Sequence, residues 1–166
     1  SMVEFENGDR AICGYSVSPW YGGGPVGFFG DPIVSLFITN KASEYKYSIL
    51  PRKLNDPLIA DGIYIPFKDK LVVLYNDFTI NLIRDSLQAN GIKPKAENYP
   101  TASLAYAIIN KNGVVEKKHI LINRQEIKME LSPNECRQIS TKEVVIPSRY
   151  YAQKDLEHKL AIIKIE

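Results

Sequence analysis

Histidine and cysteine are scarce in this chain, two of each among 166 residues, with two methionines and a single tryptophan. That scarcity leaves little for metal chemistry. His119, His158, Cys13 and Cys136 stand at no ligand spacing, so a zinc site would need all four to converge from distant positions. Asp56 and Asp61 share a loop but lack the alternating oxygen ligands of a calcium-binding loop. No metal and no cofactor are expected. Long apolar runs are missing too, since 71-LVVLY-75 and 160-LAII-163 fall far short of the ~20 residues a membrane-spanning helix needs. No N-x-Ser/Thr sequon occurs. Neither sign of charge dominates: 21 basic against 19 acidic residues give a net +2, and the lysines lie in scattered pairs. A nucleic-acid-binding domain would concentrate them.

What is present suits one folded domain. Hydrophobic residues make up 45% and charged residues 24% of the chain, as in soluble globular proteins. Ser1-Met2 reads as a cloning remnant ahead of a trimmed chain, leaving residues 3–166 as a single globular domain. Cys13 and Cys136 are expected to form one long-range disulfide. Together with the trimmed start, that bridge points to a periplasmic or extracellular location, while two buried free thiols would suit a cytosolic protein equally well.

The expected class is α+β, predominantly β, with seven to nine short strands in antiparallel hairpins and one amphipathic helix. Strands are predicted at 33–40, 44–50, 63–67, 71–75, 103–109, 114–123, 126–131, 143–147 and 157–165, from β-branched and aromatic enrichment between turn residues. Pro66 lacks an amide hydrogen, which places its strand at a sheet edge. Asn112-Gly113 suits a two-residue hairpin turn and would set Tyr106 opposite His119. The helix is predicted at 78–90, where Phe78, Leu82, Ile83 and Leu87 fall on one face. Asn76, Asp77 or Thr79 would cap its start and Asn90-Gly91 would end it. Flanking strands then allow a β–α–β crossover or a mixed sheet.

The most concentrated signal is 18-SPWYGGGPVGFFGDP-32. Gly22 to Gly27 satisfy G-x-G-x-x-G, but the segment leads into a strand and not into a helix whose amides could meet a phosphate. No Gly-Lys-Ser/Thr follows, and the kinase signatures are absent. The remaining reading is recognition, with Trp20, Tyr21, Phe28 and Phe29 as large amphipathic anchors on a glycine-rich loop. The bland alternative is that the rings cover one end of a sheet. The ten tyrosines include Tyr45 and Tyr47 on one strand face, and the last residues, LAIIKIE, offer an edge strand for pairing with another chain.

Catalysis has thinner support. A cysteine hydrolase would use Cys13 as nucleophile and His119 as base, oriented by Asn123 or Glu143. A serine hydrolase lacks its G-x-S-x-G elbow. The expected function is therefore non-enzymatic binding of another macromolecule, most concretely a protein, in the manner of an exported bacterial inhibitor or immunity protein. The alternatives are the Cys13–His119 hydrolase and a nucleic-acid-binding accessory domain.

Overall fold

The computed structural model describes residues 1–20, 27–39, 44–51, 62–78, 102–122, 130–131, 135–149 and 159–166. Twelve strands form three antiparallel sheets of four among these residues. The first sheet runs β1 (Met2–Glu4), β2 (Arg10–Trp20), β3 (Gly27–Ile38) and β4 (Tyr45–Leu50) in sequence order. The second has the same simple order, β5 (Gly62–Phe67), β6 (Lys70–Phe78), β7 (Ala102–Asn110) and β8 (Val115–Ile122). In the third, β11 (Glu143–Arg149) lies between β12 (Lys159–Lys164) on one side and β10 (Arg137–Ser140) with β9 (Glu130–Leu131) on the other.

The second sheet is the middle layer of three. Along β6 every residue from Leu71 to Asp77 is buried, and successive side chains of a strand point to opposite faces. Leu71, Val73 and Tyr75 join Tyr64, Ala105, Ala107 and Ile109 in a core shared with Ala11, Cys13, Ile33, Phe37 and Leu50 of the first sheet. Val72 and Leu74 join Ile65 and Leu104 in a second core, closed by Val144 and Ile146 of the third sheet. An apolar run without alternation, such as 71-LVVLY-75, is what a strand covered on both faces requires.

Two expectations are corrected here. The described residues are almost entirely β-sheet, and no α-helix occurs among them, which overturns the expected α+β class with its helix. Asn76, Asp77 and Phe78, read as the start of a helix, continue β6 and pair with Leu104, Ser103 and Ala102 of β7. Asn76 and Asp77 are buried within the sheet. Residues 79–90 lie outside the described part. Because β6 and β7 are antiparallel neighbours through nine residue pairs, no β–α–β crossover joins them. The strand count also exceeds expectation, chiefly because β1, β2 and β10 carried no recognised signal.

The predicted hairpins are present. Pro66 sits on β5, an edge of the middle sheet. Tyr106 stands opposite His119, although the turn differs from the two-residue form. Asn110 donates its amide to Val114 across a three-residue loop, with Gly113 at φ +77°. A bulge at Glu116, between the pairs Ile108–Lys117 and Ile109–Val115, restores the register that the longer loop displaces.

Candidate partner interface

Of the glycine-rich segment 18–32, residues 18–20 and 27–32 are strand. Val17, Ser18, Pro19 and Trp20 pair with Gly30, Phe29, Phe28 and Gly27. At its root, Ser16 alone faces Asp31 and Pro32, a bulge where a residue without an amide hydrogen is tolerated. β1 pairs with β2 only over Arg10–Ile12, and β4 with β3 only over Ile33–Ile38. The four distal pairs therefore form a two-stranded arm, flanked by no third strand among the described residues. At 3.4 Å per residue it reaches roughly 10–14 Å beyond the sheet. Trp20, Phe28 and Phe29 are on the arm's strands, and Tyr21 lies outside the described residues.

The first sheet also turns an apolar face outward. Its strand register aligns Met2, Ile12, Leu36 and Tyr47 in one row across all four strands. On one side lies the row Glu4, Arg10, Ile38, Tyr45; on the other, Gly14, Val34, Ile49. Met2 is 64% exposed, Tyr45 72% and Tyr47 65%, while Ile12, Val34 and Ile49 lie between 40% and 49%. The only charges in these rows, Glu4 and Arg10, bond each other at 3.0 Å. Of these residues, sequence reasoning singled out only Tyr45 and Tyr47. The imperfect alternation of 33-IVSLFI-38 was the available clue, because a strand apolar on both faces cannot have one of them in water without cost.

Cys13 and His119 are not brought together. Cys13 is 3% exposed in the core between the first and middle sheets. Burial pushes its thiol up from the usual range, opposed by the neighbouring Ser35 hydroxyl. His119 is exposed beside Tyr106, whose ring packs against the other core, with the two ring centroids 6.2 Å apart. A protonated thiol on one face of a sheet and an imidazole on the other cannot form a nucleophile–base pair. Glu143 is on β11 of the third sheet, paired with Lys164 at 3.4 Å, and Asn123 lies outside the described residues.

The expected disulfide is likewise absent: both cysteines are free. Cys136 packs against the core between the middle and third sheets, and burial pushes its thiol up to about 12. A whole sheet separates it from Cys13, and face-to-face sheets sit ~10 Å apart, beyond the reach of an S–S bond.

A cleft of about 200 Å³ opens where the turns at one end of the first two sheets meet, with Phe5 and Phe37 among its lining residues. Asp9 and Arg10 also line it, but Asp9 is bonded by Asn7 and Arg10 by Glu4. Among the described residues, no three His, Cys, Asp or Glu side chains gather as a metal site would require. No described helix is long and apolar enough to cross a membrane. What fold and surface define is a three-layer antiparallel β domain with a projecting arm. No family, curated protein or solved structure matches the chain.

Proposed function

We propose that the chain is a non-enzymatic recognition domain that grips a protein partner with the β2–β3 arm, using Trp20, Tyr21, Phe28 and Phe29. The observation that supports this reading is the arm itself. Four strand pairs continue past the end of both flanking strands, and three of the four aromatics fall on that extension. A ribbon without side neighbours among the described residues gains little for the fold of its own chain, since isolated two-stranded pairs are marginally stable in water. Aromatics there suit a partner's pocket, where Trp and Tyr anchor interfaces at low entropic cost. The separation of Cys13 from His119 argues against hydrolysis. The exported, inhibitor-type form of the proposal loses the disulfide that motivated it, so the proposal is of protein recognition itself.

Capture of partners from the native host's extract, with wild type, Trp20→Ala and Phe28→Ala as baits, tests the reading. Each variant should weaken retention of the same partner at least about tenfold, a loss of ~1.4 kcal/mol, with an unchanged circular dichroism spectrum. If both variants unfold the domain, the arm is structural and the reading fails. Binding that weakens steeply with salt and disappears on nuclease treatment would instead assign the arm to nucleic acid.

A further inference from the structure

We infer that the outer face of the first sheet is covered by a second copy of this chain, packed sheet against sheet. The proposal is independent of the arm's partner. Its first support is area. Taking roughly 150–250 Å² for each large side chain, the exposures of Ile12, Val34, Tyr45, Tyr47 and Ile49 sum to on the order of 550 Å², with Met2 left out as a cloning remnant. That stands at the upper end of the ~300–600 Å² of the largest apolar patch on a typical monomer, and two such faces together would bury about 1,100 Å², above the ~1,000 Å² a specific interface needs.

The second support is self-compatibility. A two-fold interface sets a surface against itself, so any net charge at its centre would meet its like. Here the central rows hold none, and Glu4 and Arg10 at one end already neutralise each other. The same pattern disfavours a lipid surface, because interfacial membrane-binding faces carry unpaired Lys and Arg around the apolar side chains. Third, extension of the sheet through β4 is hindered. A Cβ at Gly113 would lie 2.4 Å from the Tyr47 carbonyl oxygen, so the β7–β8 turn already rests on the β4 backbone. The broad face remains, and face-to-face packing of antiparallel sheets is how the molecule builds both of its own cores.

Sedimentation equilibrium across about 1–100 μM, the range a standard-sized interface spans at its weaker end, should give twice the 18.8 kDa chain mass for wild type. Tyr47→Lys and Ile49→Lys should each raise the dissociation constant about 30-fold or more. Wild type also permits a test that needs no variant. Hydroxyl-radical oxidation of Tyr45 and Tyr47 should fall several-fold between the lowest and highest concentrations. A wild-type monomer at every concentration overturns the inference. So does a dimer that both variants leave intact, or one whose Tyr45 and Tyr47 oxidise equally at both ends. A monomer that floats with phosphatidylcholine–phosphatidylglycerol vesicles would assign the face to lipid and equally overturn it.

Discussion

Gly113 shows how one missing side chain lets two sheets approach. Its φ of +77° suits glycine, and a Cβ there would meet the Tyr47 backbone at 2.4 Å. The obstacle is a main-chain carbonyl in a paired strand, which cannot rotate aside as a side-chain tip would. Gly113→Ala should therefore destabilise the domain by about 2 kcal/mol or more, through backbone strain and the forced shift of β4. Gly14→Ala is the matched control. Nothing in its own chain lies within 4 Å of its would-be Cβ, so at a concentration low enough to keep the chain monomeric it should lower stability by no more than about 0.5 kcal/mol. Equilibrium urea unfolding of the two variants, read as midpoint shifts, decides the matter. Equal midpoints would mean the turn does not rest on β4.

Among the elements, β6 carries the heaviest structural demand, because both of its faces are core. Leu74 is 2% exposed and packs toward Val144 and Ile146 of the third sheet. Leu74→Ala should cost about 2–5 kcal/mol, measured by the same urea titration, and a loss below ~1 kcal/mol would contradict the three-layer packing. This strand, with β5, β7 and β8, was legible in the sequence, since LVVLY is bounded by turn residues and Asn112-Gly113 marks the next hairpin. The helix was not a sound reading. Periodicity between Phe78 and Leu87 matched an amphipathic template, but Asn76 to Phe78 were recruited as strand, in register with β7. β2 and the first half of β3 were hidden for a different reason. Pro19, Gly27, Gly30 and Pro32 read as loop, whereas a bulge and a ribbon unflanked among the described residues accommodate them. Of the candidate site, the aromatic cluster was visible in advance and the outer face of the first sheet was not. Which of two apolar strand faces remains in water depends on how the sheets stack.

At the scale of the whole molecule, the two thiols mark two different interfaces. Cys13 lies between the first and middle sheets, and Cys136 between the middle and third. Both should alkylate fully in denaturant without reductant, giving an intact mass with two labels. Under native conditions Cys136, half-buried beside the third sheet, should label before Cys13. A mass that gains labels only after reduction would contradict the separation of the two cores.

The strands of each of the first two sheets follow one another along the chain, and this has a consequence for biosynthesis. A polypeptide emerges from the ribosome from its N-terminus, so strands β1–β4 can pair with one another before the middle layer exists. The middle layer then finds one prepared surface to dock on, while its other face stays bare until β9–β12 are made. For that interval the nascent chain displays Val72, Leu74 and Leu104 to water. It is the stage at which a chaperone, or a pause in translation, would most alter the yield of folded protein.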